Sequence, residues 1–284
     1  MEINKLIKLG VDRIKGRPYG NPILEATLLL GKVLNVDKVY IYTHGDEEVP
    51  DFIAEKYLEM IDRRKEGYPV QYIINEKEFM GLDFYVEEGV LIPRPDTEIL
   101  VEYVLDYIDR VHGNEDIDVL DIGVGSGAIG ISIAYYRKNA NVCGVDISDK
   151  ALKVSNINKE RFNLNNVTLI KSNLFENIDR NKKFHIIASN PPYIPKDDIE
   201  ALLEEVRDYE PRTALEGGLD GLDFYRRIIP ESKHHLHEKG LLIFEIGYNQ
   251  NNNVRDMMER EGFINIETLK DLQGLDRVVL GIKG

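Results

Sequence analysis

The chain has 284 residues, 43% of them hydrophobic, and its 50 Asp+Glu outweigh 36 Lys+Arg to leave a net charge of −14. That apolar fraction supports a buried core and excludes a wholly disordered chain, while the acidity weighs against tight unaided binding to a phosphate backbone, which needs clustered cations. A single cysteine, Cys143, excludes a disulfide framework and a cysteine-based zinc site, and no apolar run approaches the ~20 residues that span a bilayer.

The opening segment MEINKLIKLGVDRIKG lacks the apolar block and cleavage site of a signal peptide, so a cytoplasmic protein is expected. Residues 1–70 carry eleven basic and twelve acidic side chains, a net −1, which leaves −13 on the other 214. This near-neutral part is helical in pattern. Ile3, Leu6, Ile7 and Ile14 lie at helical spacing, and Asn21-Pro22 is a helix start, a capping side chain followed by a residue that needs no N–H. A further helix begins near Pro50-Asp51 and stops at Gly67. Arg63, Arg64 and Lys65 at its end are expected to be a solvated helix terminus. Residues 71–74 and 83–86 are β-rich and predict a hairpin, with Pro93 and Pro95 closing the connector. The division expected is a helical domain over 1–69, a hairpin linker over 70–92 and a catalytic domain over 93–284.

From residue 96 onward strand and helix patterns alternate. Strands are predicted at 118–122, 141–145, 167–171, 185–189, 241–246, 264–269 and 277–282, with helices over 149–162, 222–237 and 254–261 among them. Short apolar strands separated by helices mean a mainly parallel, doubly wound sheet, an α/β fold. No helix fits between the last two strands, which should pair as an antiparallel hairpin. Cys143 falls inside a strand as a buried small residue. His234, His235 and His237 fall at a predicted helix end, where they favour the dipole, and no metal site is expected.

VLDIGVGSGAIGISIA has the order strand, glycine turn, helix, and such a turn borders the ligand crevice of a doubly wound sheet. Gly123, Gly125 and Gly127 permit a sharp turn and a close ligand approach. About 20 residues on, Asp146 could hold the hydroxyls of a ribose. The loop supports two cofactors. Gly125-x-Gly127-x-x-Gly130 satisfies the dinucleotide pattern, so an NAD-dependent dehydrogenase is one alternative. Asp121-x-Gly123-x-Gly125-x-Gly127 resembles the nucleotide loop of class I S-adenosylmethionine-dependent methyltransferases, whose seven-stranded sheet with a terminal antiparallel hairpin matches the strand pattern.

Directly after the fourth predicted strand comes Asn190-Pro191-Pro192-Tyr193. It resembles the motif of methyltransferases that modify a nitrogen attached to a planar π system. Such a nitrogen is a poor nucleophile because its lone pair is delocalised. The Asn190 side-chain carbonyl and the Pro191 backbone carbonyl can hold its two N–H bonds out of plane and aim the lone pair at the methyl. Consecutive prolines stiffen the turn and offer no competing donor, and Tyr193 offers a ring face for stacking. A DNA or rRNA amino-methyltransferase shares this motif and is a further alternative, though it must extract a base from its stack.

With IPRPDTE (residues 92–98), DIGVGSGAIG, SNPPYI, YEPRTALEGGLDGLDFYRRI, FEIGYNQ and DLQGLDR in one chain, the sequence resembles the release-factor-specific protein-(glutamine-N5) methyltransferases, the PrmC (HemK) family, over nearly its whole length. The resemblance implies a class I methyltransferase fold behind a small helical N-terminal domain that holds the partner. It implies transfer of a methyl group from S-adenosylmethionine, leaving S-adenosylhomocysteine, to the Gly-Gly-Gln glutamine of class I release factors. By the same resemblance Asn190, Pro191, Pro192 and Tyr193 hold the glutamine amide. Gly123, Val124, Gly125, Ser126 and Gly127 line the methionine part of the cofactor, and Asp146 its ribose. Thr97 and Asn190 lie near the methyl donor. Asn173 and Leu174 meet the adenine, Asn173 standing where the family usually has Asp. A monomer is expected, with no direct nucleic-acid or membrane partner.

Overall fold

The computed structural model, which describes residues 1–17 and 20–284, opens with α1 (Ile3–Ile14), α2 (Pro22–Leu34), α3 (Lys38–Thr43), α4 (Asp51–Lys65) and α5 (Val70–Ile74). The start of α2 follows from its sequence. The Asn21 side chain accepts from the N–H groups of Ile23 (3.2 Å) and Leu24 (3.1 Å), and Pro22 fills the first turn. Ile3, Leu6 and Ile14 of α1 and Ala54, Tyr57 and Ile61 of α4 turn inward at three- and four-residue spacing. Each large aliphatic side chain so buried contributes about 1.5–3 kcal/mol. The two helices approach closely at Gly10, where a Cβ would stand 2.0 Å from the Tyr57 hydroxyl.

Two expectations for this region are corrected. Residues 71–74 are not a strand but most of α5, a short helix that starts after Pro69 and ends at Asn75 in the left-handed region (φ +55°). Val70 and Ile73 join the helical core, so packing overrides their β propensity. Arg64 is not solvated: it continues the buried row of α4 and is 2% exposed. Its Nε (2.8 Å) and Nη2 (3.1 Å) donate to the two oxygens of Glu25, and its Nη1 donates to Glu205 (2.7 Å). Removing one partner from such a buried set costs about 3–5 kcal/mol. Glu205 belongs to Leu203–Tyr209, which groups with Met1–Glu76 as one compact unit although the sequence pattern leaves it in the C-terminal part. Arg17 holds Glu204 at 3.0 Å, and the Tyr209 ring meets Tyr68 edge-on at 5.1 Å.

The second unit comprises Lys77–Leu202 and Glu210–Gly284. It opens with the hairpin β1 (Lys77–Phe79) and β2 (Leu82–Phe84), joined by Met80-Gly81, both with positive φ as a tight two-residue turn requires. α6 (Glu98–Tyr107) precedes the alternating part: β3 (Ile117–Ile122), α7 (Ala128–Tyr136), β4 (Ala140–Asp146), α8 (Asp149–Arg161), β5 (Val167–Lys171) and β6 (Phe184–Ser189). After α9 (Glu204–Arg207), which lies in the segment grouped with the first unit, come α10 (Asp223–His235), β7 (Leu236–Glu245), α11 (Asn251–Arg260), β8 (Phe263–Lys270) and β9 (Asp276–Lys283).

The seven strands β3–β9 form one sheet in the order β5-β4-β3-β6-β7-β9-β8. β3 to β7 run parallel, and β9 pairs antiparallel with both β7 and β8. Neighbouring residues face opposite sides. Val119, Ile186, Leu241 and Val278 enter one core with α6 and α7, while Leu120, Ile187, Leu242 and Val279 enter the other with α10 and α11. Burial on both faces is why these strands read as unbroken apolar runs. The sheet is the doubly wound α/β architecture expected, and chain order reverses on either side of β3, which opens a crevice beyond the carboxyl ends of β3, β4 and β6.

One detail at the opposite end of the sheet differs from expectation. His234 and His235 end α10, but His237 lies on β7, its ring 4.4 Å from that of His185. His235 instead stacks on Phe175 at 5.0 Å. Cys143 lies on β4, half-buried, and burial pushes its thiol up to about 11.

Candidate active site

Residues 123–127 connect β3 to α7 across the crevice. The N–H groups of Gly123 and Val124 both donate to the Val145 carbonyl (2.9 Å each), hooking the loop over the end of β4. Gly123 (φ +76°) and Gly125 (φ +54°) sit in the left-handed region that L side chains avoid. A Cβ at Gly123 would meet nothing within 4 Å, and one at Gly125 only the Gly123 carbonyl at 3.9 Å, so the pair leaves open a cradle that side chains would fill. Gly127 serves packing instead: a Cβ there would stand 2.4 Å from Ile131 Cδ1.

Asp146, at the end of β4, faces this loop. Its two oxygens accept from the N–H groups of Gly125 (3.0 Å) and Ser148 (2.9 Å), and the Ile147 N–H also bonds to the carboxylate. Burial lifts its carboxyl above the ordinary value against the pull of those backbone donors.

Asp121 on β3 is fully buried. One oxygen accepts from Gly130 N–H at 2.8 Å and the other has no hydrogen-bond partner among the described residues. Burial pushes this carboxyl up to about 7. The folded state therefore retains a proton that the unfolded state loses above about 3.9, and stability falls as pH rises between those values. Asp121→Asn cannot ionise. It should flatten that decline and stabilise the protein at pH 8 by up to about 4 kcal/mol. Urea unfolding of both proteins at pH 5.5 and pH 8 measures this, and equal pH dependence would refute it.

Asn190, Pro191 and Pro192 follow β6 and line the same crevice as Gly123, Val124, Gly125 and Ser126, together with Asp146, Asn173, Leu174 and Thr97. Eleven sequence-assigned residues thus share one pocket. Gly127 and Tyr193 are not on its wall. Tyr193 is partly buried against the core beneath, and its hydroxyl donates to Glu245 Oε1 at 3.2 Å, so it anchors the turn. The Asn173 carbonyl oxygen accepts from Arg227 (3.0 Å) and its amide donates to Glu176 (2.6 Å). Arg227 thus supplies the cation that suits an Asp at this position. Val90, Pro93 and Thr213 also line the pocket, although the sequence pattern assigned none of them to the site.

IPRPDTE takes its meaning from what its polar side chains reach. Arg94 donates to Glu210 (2.6 Å), Asp96 pairs with Arg277 (3.2 Å), and Glu98 accepts from the N–H of Met80 in the hairpin turn (2.8 Å). Thr97 donates to Glu245 Oε2 (2.5 Å), and the Asn190 amide donates back to Thr97 Oγ1 (3.2 Å). Gln250, buried, ties three segments together: it donates to the Tyr193 (2.9 Å) and Gly221 (3.2 Å) carbonyls and accepts from Gly247 N–H (2.9 Å). Ile194 N–H and C=O bond to Leu215 and Gly217 (2.9 and 2.8 Å). The signature segments therefore brace the turn that carries Asn190. Glu245 and Gln250 lie in FEIGYNQ, a segment that carries the family resemblance but whose local pattern does not name the partners of either side chain.

Comparison with known proteins agrees with this geometry. Residues 5–74 match the family described as PrmC N-terminal domain, and residues 97–207 match the Methyltransferase small domain. The release factor glutamine methyltransferase of Clostridium acetobutylicum is 48% identical over 92% of this chain and 91% of its own. That of Clostridium botulinum is 42% identical over 98% of each. A methyltransferase structure from Pyrococcus furiosus superposes with a TM-score of 0.53 at 20% identity over 72% of this chain and 90% of that one, which speaks for the fold alone. The dehydrogenase alternative falls with these matches, as does any doubt that the sheet is the class I methyltransferase fold. Identity of this extent along both chains places the protein in the release factor glutamine methyltransferase family.

Proposed function

We propose that this protein uses S-adenosylmethionine to methylate the side-chain amide nitrogen (N5) of the glutamine in the Gly-Gly-Gln motif of class I peptide chain release factors, and so supports translation termination. The observation that carries this reading is Asn190, set at the crevice with its NH2 engaged by Thr97 and its carbonyl oxygen left to accept.

The residues present fit the cofactor. The open cradle at Gly123 and Gly125 suits its methionine part, with Val124 and Ser126 on the same wall. Asp146, a carboxylate acceptor at the pocket wall, suits the ribose hydroxyls, while Asn173, Leu174 and Thr97 complete the set assigned to the cofactor. S-adenosylmethionine supplies a methyl group already activated on a sulfonium, so the protein needs no nucleophile of its own. What the chain must do is orient, and well-oriented reactions gain on the order of 7–11 kcal/mol from that. Asn190 Oδ1 and the Pro191 carbonyl accept the two amide hydrogens and hold them off the amide plane. Pro192 stiffens the turn and Tyr193 anchors it. These hydrogens become more acidic as the nitrogen gains its new bond, so both acceptors bind the transition state more tightly than the ground state.

The near-neutral helical part is the candidate release-factor holder, residues 70–92 the linker and the acidic remainder the catalytic part. The protein acts as a cytoplasmic monomer without a nucleic-acid substrate in this reading; no helix among the described residues is long and apolar enough to cross a membrane. The test is incubation with labelled S-adenosylmethionine and an unmodified release factor. Label is expected in the Gly-Gly-Gln peptide. Its absence there, or salt-sensitive transfer to nucleic acid instead, would overturn the proposal.

A further inference from the structure

Glu245, the last residue of β7, is 1% exposed and carries a carboxylate within the apolar layers under the Asn-Pro-Pro-Tyr turn. A buried carboxylate is costly unless each oxygen is satisfied. Here Oε2 accepts from the Thr97 hydroxyl, Oε1 accepts from the Tyr193 hydroxyl, and the residue's backbone carbonyl accepts from Tyr225 (2.8 Å). Two of these donors belong to the segments that build the site.

The proton count at Thr97 has a consequence. A hydroxyl has one hydrogen, and Thr97 gives it to a carboxylate that can only accept. Its oxygen can then only accept as well, so the group of Asn190 that meets it must be the NH2, at 3.2 Å. The other end of the carboxamide, Oδ1, is left for the crevice. If Thr97 gave its proton to Asn190 instead, the amide could turn over and present its NH2 to the NH2 of the substrate, donor against donor.

We propose that Glu245 is a positioning residue which, through Thr97, fixes which end of the Asn190 carboxamide faces the substrate amide. This rests on the methyltransferase reading above. Glu245 touches neither substrate nor cofactor in this scheme; it acts through the direction of one hydrogen bond.

The test compares Thr97→Val, which keeps the shape and removes the hydroxyl, with Thr97→Ser, which keeps the hydroxyl and removes a methyl. For each, kcat on a release factor and the Kd for S-adenosylhomocysteine are measured beside the unsubstituted enzyme. Thr97→Val should lower kcat by roughly 10- to 100-fold, a larger loss than any in Kd, and Thr97→Ser should recover most of that kcat. A packing role predicts the opposite order of the two variants. Unchanged kcat in Thr97→Val would overturn the proposal, and so would a loss in Kd without a loss in kcat, which would make Thr97 a cofactor contact only. If Thr97→Val does not fold, Glu245→Leu carries the test. It removes both acceptors, so Thr97 is free to give its hydrogen to Asn190, and kcat should fall with Kd retained; unchanged kcat there refutes the relay. An unsubstituted enzyme that transfers nothing to the release factor overturns the proposed function and this inference together. An active one matched by both Thr97→Val and Glu245→Leu overturns this inference alone.

Discussion

Asn190→Ala should lower kcat on a release factor by about 10²–10³-fold while the protein stays folded and still binds S-adenosylhomocysteine. The side chain lies at the surface of the crevice, half-buried, and its one hydrogen bond among the described residues is the donation to Thr97. Truncation therefore leaves one hydroxyl oxygen short of a donor, a small cost to folding. It removes one of two acceptors for hydrogens that grow acidic as the reaction proceeds, and a group that binds the transition state better than the ground state affects kcat more than KM. Steady-state kinetics with a binding titration separates the two parameters. A variant that loses cofactor affinity and turnover in equal measure would show that Asn190 holds the cofactor rather than the amide. Asn190→Asp gives a sharper comparison. It keeps an oxygen toward the substrate but sets an acceptor against the Thr97 oxygen, so it should fall between the other two.

Such side-chain roles were legible where chemistry demanded a contiguous pattern. Gly123, Gly125 and Gly127 announce their loop because positive φ leaves a residue-type signature. The strands announce themselves because two covered faces demand unbroken apolar runs, and Asn190-Pro191-Pro192-Tyr193 because four adjacent residues share one task. What stayed hidden has partners far apart in the chain. Thr97 and Glu245 are 148 residues apart, and neither local pattern hints at the other. Arg64 sits in a run of three cations that resembles a solvated helix end, and only the helical repeat with Ala54, Tyr57 and Ile61 places it inside, opposite Glu25 and Glu205. The tie from the Tyr193 hydroxyl to Glu245 is equally remote in the chain. In each case the local sequence was compatible with both environments, and long-range packing decided between them.

The glycine loop allows a second large effect to be separated from stability. Gly125→Ala should weaken binding of S-adenosylhomocysteine by about 10- to 100-fold while costing folding only about 1–2 kcal/mol. The folding cost comes from holding an L side chain at φ +54°, since among the described residues nothing approaches the new Cβ more closely than the Gly123 carbonyl at 3.9 Å. The binding cost comes from the methyl group occupying the cradle, and from strain on the N–H that Asp146 accepts at 3.0 Å. Gly127→Ala is the control. Its Cβ would drive into Ile131 at 2.4 Å, away from the pocket wall, so its larger effect should be on stability. Calorimetric titration and thermal unfolding of the two variants form a cross: Gly125→Ala loses affinity more than stability, Gly127→Ala stability more than affinity. Equal affinity in Gly125→Ala and the unsubstituted protein would mean that the cradle is not where the cofactor's methionine part lies, and the assignment of Gly123 and Val124 would fall with it.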